Sequence, residues 1–411
     1  MQKRRIALVI PGVPHPTQGA SSVLFYHYAK AVTDAVAAAG GECLHLLLLA
    51  AGARYEATPR EYAGFLGQDA AQVRVIEADA PFFRSTPFRH AVHPGCRERT
   101  RAALREFAPD LTVCFDLLAA ALAEGSGPGR TLAWLGDLNF QTTWYAERYN
   151  LKENGSVTLR GLANLAAAGL ACRAWKRVYA RVLAGADRLI VSSKSSEKAV
   201  AALGLRGDYL PYPWPCAEED LAQQTPPPGP PHFLFFGSLQ ALGSRSALHF
   251  LLDRLHPGLL RRLGPGGFAI TIAGRGEMPA WAREALPGKP EFDYLGFVPD
   301  LAALMRRCHG VLAPIDVPVG NRSRIITAMA QGVPVIAHEN AALSNPELVD
   351  GQSCFLIRTA DQCAERMIKI ANDRETSSKI VQNAQDAYRS LFHPDAACRL
   401  FLAEIHKLLP S

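Results

Sequence analysis

Short apolar runs alternate with longer stretches of helical period along most of the chain. In the first half the runs are Ile6–Ile10, Leu44–Leu49, Val73–Ile76, Asp110–Phe115 and Leu132–Leu135. In the second half they are His232–Phe236, Phe268–Ala273, Glu291–Tyr294, Val311–Ile315 and Val333–Ala337. Each is too short for a helix and nearly continuous in apolar side chains, which predicts strands buried on both faces of a parallel sheet. The intervening stretches predict helices over Ser22–Ala39, Arg97–Phe107, 158–184, Ser246–Leu255, Leu301–Arg307 and Arg324–Gln331, with the last helices over 360–391 and 394–409. The run Ala78–Gly95 holds too many prolines for a regular element, so His90 and His93 within it read as loop residues rather than metal ligands. Prolines crowd again between Tyr212 and Pro231, where a stiff linker would separate a pair of αβ domains. The predicted class is α/β, with domains 1–211 and 232–393, a linker 212–231, and a closing helix 394–411.

The chain has 411 residues, 48% of them hydrophobic and 20% charged, which suits two globular cores. No apolar run reaches the roughly 18–20 residues that cross a bilayer. The basic start MQKRRIALVIPG reads as a first strand rather than a signal peptide. Nine cysteines without a C-x-x-C pair suggest reduced thiols and a cytoplasmic chain, and leave no disulfide framework or metal site. The excess positive charge is uneven: residues 1–214 carry 25 basic and 18 acidic side chains, residues 215–411 carry 19 and 20. Such a first half attracts anionic partners; no nucleic-acid module accompanies it, so nucleic acid is discounted. On the helix 158–184, Arg173, Arg177 and Arg181 recur every four residues opposite Trp175, Val178, Tyr179 and Val182. That stripe is either the solvated back of a core-facing helix or a peripheral contact with an anionic membrane.

The most telling stretch is Gly310–His338, GVLAPIDVPVGNRSRIITAMAQGVPVIAH. It reads as strand, loop, short helix, strand, with Ser323 as N-cap and Gly332 as the left-handed residue after the helix. Gly320, Asn321, Arg322, Ser323 and Arg324 then stand at a helix N-terminus, where unpaired N–H groups favour an anion. Two arginines add forked, permanently charged donors that match phosphate oxygens.

This segment resembles the donor-site signature G-x-G-T-R-x-K-x-x-E-A-M-A-x-G-x-P-V-V of retaining GT-B glycosyltransferases, most of all those of family 4. Gly320 and Arg322 match, Arg324 stands for the family's Lys, and Ala328, Met329, Ala330, Gly332, Pro334 and Val335 follow in register. Thr327 occupies the place of the family's ribose-binding Glu. The resemblance implies two Rossmann-like domains facing across a cleft, a nucleotide-sugar donor held by the second, and a glycan, lipid-linked or protein acceptor on the first. It implies no cofactor and no metal, since basic side chains can serve the diphosphate. A phosphorylase would need a Schiff-base lysine, and the second domain offers only Lys289, Lys369, Lys379 and Lys407, none in a suitable loop.

Further positions follow from the same likeness. Gly19 and Ala20, where the family has Gly-Gly, turn from loop to helix near the donor phosphate or the acceptor. Gly237 and Ser238 stand where Gly-Arg is usual, and Arg245 replaces a nearby Lys. Gly274 and Arg275, with backbone groups of Phe297 and Val298, belong to the base and ribose side, and Glu347 to the sugar. Asp137 follows a strand end and is the candidate catalytic residue facing the reacting sugar; otherwise it is a turn carboxylate. Alternatives are a silent GT-B binding module, or another GT-B enzyme such as a nucleotide-sugar epimerase.

Overall fold

The computed structural model describes residues 4–67, 73–153, 158–216 and 229–409. The chain divides into two units, Met1–Pro215 with Pro394–Ser411, and Cys216–His393. Of the proline-rich segment 212–231, residues 217–228 lie outside the described residues, and Tyr212 is fully buried within the first unit.

The first unit runs β1 (Arg5–Pro11), α1 (Ala20–Ala38), β2 (Glu42–Ala50), α2 (Pro59–Leu66), β3 (Val73–Ala78), β4 (Phe83–Ser85), β5 (His90–Val92), α3 (Pro94–Phe107), β6 (Leu111–Phe115) and α4 (Asp116–Ala123). It continues with β7 (Arg130–Leu135), α5 (Asn139–Glu153), α6 (Leu159–Leu183), β8 (Arg188–Val191), α7 (Lys194–Ala201) and β9 (Asp208–Tyr209). Seven of these strands form one parallel sheet in the order β3-β2-β1-β6-β7-β8-β9. Strand order reverses between β1 and β6, so the carboxyl ends of those two strands open the crevice where such sheets bind ligands.

The second unit repeats the plan with β10 (His232–Phe236), α8 (Leu242–His249), α9 (His256–Leu263), β11 (Ala269–Ala273), α10 (Ala280–Ala285), β12 (Phe292–Gly296), α11 (Leu301–Arg306), β13 (Gly310–Ala313), α12 (Ser323–Ala330), β14 (Val335–His338), β15 (Phe355–Ile357), α13 (Ala360–Asn372) and α14 (Arg374–Ala387). Its sheet, β12-β11-β10-β13-β14-β15, is also parallel and reverses between β10 and β13. The last helix, α15 (Pro394–Leu408), belongs to the first unit. There Phe401 packs on Tyr28 with ring centroids 4.3 Å apart, and Glu404 accepts from Arg188 Nε at 2.8 Å.

Three expectations need correction. The proline-rich run Ala78–Gly95 does contain regular structure, the antiparallel hairpin β4–β5, with Pro87 in its turn and Thr86 N–H donating to Arg89 O at 2.9 Å. His90 there is buried, stacked 3.8 Å from Trp175, because the hairpin is clamped onto α6 rather than solvated. The helix expected from Ser246 begins at Leu242, since Gly243 packs so closely on Ile315 that a Cβ would lie 3.2 Å from its Cγ2. Tertiary packing outweighs the helix cost of that glycine. Finally, Ser323 is the first helical residue of α12 rather than its cap; Arg322 holds the cap position, at φ −99° and ψ 43°.

On β2, His45 is fully buried between Thr33 and Tyr62, its Nε2 2.9 Å from Thr33 Oγ1 and its Nδ1 2.8 Å from the Tyr62 hydroxyl. Thr33 gives its own proton to Ala29 O at 2.7 Å, so Nε2 donates and Nδ1 accepts, leaving a neutral ring. Burial pushes the imidazole down from 6.5 to about 4. The unfolded chain therefore binds this proton first. The stability held above the unfolded value is lost as pH falls from about 6.5 to about 4, on the order of 3 kcal/mol in all. In His45→Gln the first unit should unfold with a flatter pH dependence across that window; an unchanged slope in thermal melts would remove His45 as its cause.

Candidate functional site

In the second unit, the loops after β10 and β11 and the first turn of α12 meet at the carboxyl ends of the central strands. The loops are laced together by backbone: Gly237 N–H donates to Ala273 O at 3.1 Å, Leu239 N–H to Arg275 O at 3.1 Å, and Gly274 N–H to Gly296 O at 2.7 Å. The contact is too close for side chains. A Cβ on Gly274 would stand 1.9 Å from Gly237 O, and one on Gly237 would stand 2.5 Å from Arg324 Nη2. Gly237 also has φ 141°, which L side chains rarely adopt.

That close approach seats the Arg324 guanidinium. Its Nη2 donates to Ser244 Oγ at 2.8 Å, its Cζ lies 5.2 Å from the Phe235 ring centroid, and its buried Nη1 meets no hydrogen-bond partner among the described residues. Burial, with the charge of Arg322 behind it, pushes the guanidinium down from 12.5 to about 10, so it remains a cation at neutral pH. A half-buried cation whose buried Nη1 is an unspent donor, over a glycine loop and at a helix N-terminus, is chemically prepared for an anion. Arg322 is placed differently. It is 4% exposed, and its Nη2 donates to Val317 O at 2.6 Å, bracing the loop that carries Gly320 (φ 95°), Asn321 and Ser323.

The remaining positions lie around this centre at various distances. Thr327 turns its hydroxyl back to Ser323 O at 2.9 Å, a bond within α12. Ser238 is exposed and Arg245 half-buried on α8. Arg275 stacks its guanidinium 5.1 Å from the centroid of the exposed Phe297 ring, beside the half-buried Val298. Glu347 sits in the loop after β14, where its carbonyl accepts from Ser353 Oγ at 2.7 Å.

In the first unit, Gly19 caps α1 at φ 73°, with Ala20 exposed as its first residue. The Glu56 carboxylate approaches this helix start: its Oε1 lies 3.3 Å from where a Gly19 Cβ would stand. Asp137 is exposed. The residue that sequence reasoning missed is its neighbour Asp116, the first residue of α4, directly after β6 at the point of strand-order reversal. Its backbone is held at φ 70°, a strained conformation outside glycine, and its Oδ1 accepts from Gly136 N–H at 3.3 Å. Burial pushes its carboxyl up from 3.8 to about 6, with the charge of Asp137 adding to the rise. A signal was present, since Asp116 is the only charged residue in the apolar run Leu111–Ala123. Ser244 was missed as well, because nothing in the sequence tells that it receives Arg324.

Residues 230–373 match the family model described as glycosyl transferases group 1. No curated protein matches the chain. Among solved structures, a glycosyltransferase from Rickettsia africae superposes with a TM-score of 0.68 at 14% identity, covering 100% of both chains. HepE of Anabaena, solved with UDP and glucose, gives 0.63 at 16% identity over 98% of this chain and 100% of its own. Sucrose-phosphate synthase from Thermosynechococcus elongatus gives 0.66 at 16% identity over 99% of each. Residues 230–373 are thus similar to the group 1 glycosyl transferases, and the chain as a whole has the two-domain GT-B fold.

Proposed function

We propose that this protein transfers a sugar from a nucleotide-sugar donor to a hydroxyl of a glycan, lipid-linked or protein acceptor, with retention and without a metal. The observation that carries the reading is Arg324, a half-buried cation with an unspent buried donor above Gly237. There it would gain most as the leaving diphosphate accumulates charge, which is electrostatic stabilisation of the transition state. Phe297 and Arg275 would take the base and ribose side, and UDP is the first nucleotide to try because HepE was solved with it. On the first unit, Asp116 would orient the acceptor hydroxyl, with exposed Asp137 in a lesser role. Assembly of surface glycans is the proposed setting, on the cytoplasmic side of a membrane, with an anionic bilayer as a peripheral partner suggested by the exposed Arg173, Arg177 and Arg181.

A catalytically silent binding module is the competing reading, favoured by Thr327, whose hydroxyl is spent inside its own helix where the family has a carboxylate. A thermal-shift screen with UDP-, GDP- and CMP-sugars, followed by assay of nucleotide release, tests both. A stabilising donor raises the melting temperature by mass action. Stabilisation with nucleotide release supports the enzyme, and stabilisation without release over any acceptor or water favours the module. No stabilisation by any nucleotide would overturn both.

A further inference from the structure

The exposed face of α6 is divided along its length. At 3.6 residues per turn, Leu159, Leu162, Ala166, Leu170, Arg173, Arg177 and Arg181 fall along one line of the helix. The first half of that line is apolar and open to solvent: Leu159 is 89% exposed, Leu162 46% and Leu170 36%. The second half is the three exposed arginines. The opposite face, with Trp175, Val178, Tyr179 and Val182, is buried in the first unit. No acidic residue occurs between Leu159 and Leu183.

The hairpin β4–β5 adds a second element of the same character. Phe88 at its tip is 70% exposed, flanked by the exposed Arg84 and Arg89. The hairpin is fixed to α6, with Phe83 5.1 Å and His90 3.8 Å from Trp175 between ring centroids. It also contains no Asp or Glu from Phe83 to Val92. A single exposed leucine calls for no explanation. Exposed leucines in line with arginines on α6, and an exposed phenylalanine with two arginines on the hairpin packed against that helix, have the composition of an interfacial surface. No helix among the described residues is long and apolar enough to cross a membrane, so the arrangement suits a helix that lies along one.

We propose that this surface of the first unit docks in the plane of an anionic bilayer. The leucine half of α6 and Phe88 enter the acyl boundary, and the arginine half, with Arg84 and Arg89, pairs with headgroup phosphates. The inference rests on the membrane contact proposed above and names the residues that make it; it does not depend on which sugar is transferred.

The test is co-sedimentation of the full chain with phosphatidylglycerol–phosphatidylcholine vesicles and with phosphatidylcholine vesicles alone. Wild type should sediment with the anionic vesicles, release with added salt, and stay in solution with the neutral ones. Leu159→Ser with Phe88→Ser, and separately Arg173→Glu with Arg177→Glu, should each lower the partition coefficient by at least about tenfold. Their melting temperatures and nucleotide-induced shifts should match wild type, which separates loss of docking from loss of fold. Wild type remaining in solution with anionic vesicles would overturn both the membrane contact and this surface. Wild type that sediments together with both variants would overturn the surface while sparing the contact. A dimer that the serine variant dissociates, with vesicle binding unchanged, would assign the face to a second copy and overturn the proposal.

Discussion

Asp116→Asn is expected to slow sugar transfer roughly tenfold to a hundredfold while making the first unit more stable above about pH 7. The two effects share one cause. The Asp116 carboxyl sits at the carboxyl end of β6 with its pKa raised from 3.8 to about 6, chiefly by burial. The unfolded chain gives up this proton first. The associated stability is complete below about 3.8 and is lost as pH rises through about 6, a loss on the order of 2–3 kcal/mol. Asparagine carries no such charge, keeps an oxygen for Gly136 N–H, and tolerates the left-handed backbone at φ 70° as well as aspartate does. A neutral amide, however, gives up the charge-assisted hydrogen bond to an acceptor hydroxyl. Turnover in the wild type should therefore rise through about pH 6, and that limb should vanish in the variant. Asp137→Asn is the comparison, and its exposed side chain should affect turnover less. If Asp116→Asn loses stability above pH 7, or transfers at the wild-type rate, the carboxylate only shapes the turn.

Arg324→Ala should weaken binding of bare nucleoside diphosphate about ten- to a hundredfold, the worth of one or two charge-assisted hydrogen bonds. The same factor is expected for the sugar donor, because the contact is to phosphate. Gly237→Ala should reproduce much of this loss without touching the arginine. Its new Cβ would stand 2.5 Å from Nη2, and with φ at 141° the loop cannot easily yield, so the guanidinium must move off Ser244. Isothermal titration of the folded variants with UDP reads the effect directly. Arg324 also packs on Phe235, so a fall in melting temperature with unaltered UDP affinity would make it a structural residue instead. Arg324 itself should add no pH dependence to binding from about pH 6 to 8, since the guanidinium stays charged up to about 10, and any change near pH 6 belongs to the terminal phosphate of UDP.

Much of the fold was legible because buried parallel strands must be short and apolar throughout. His232–Phe236 could be bounded to the residue, and β1 within one residue at each end. The helix start with its glycine and two arginines was legible for a related reason, since it follows from local spacing and local charge. The two arginines could not be told apart in this way. Which one turns to Val317 O and which to Ser244 Oγ over Gly237 depends on residues 80 and 87 positions away from Arg324.

The hairpin β4–β5 was hidden because its stability lies in Trp175 of α6 rather than in its own proline-rich sequence. Asp116 escaped notice because a positive φ and a desolvated carboxyl cannot be read from a sequence. The sequence by itself determined the alternation of strands and helices and the placing of a glycine and two arginines at a helix start, both of which follow from local period and local charge. Only the tertiary structure decided which charges are buried, which glycines face a guanidinium, and which leucines of α6 find no core. Those outcomes depend on what distant segments leave uncovered.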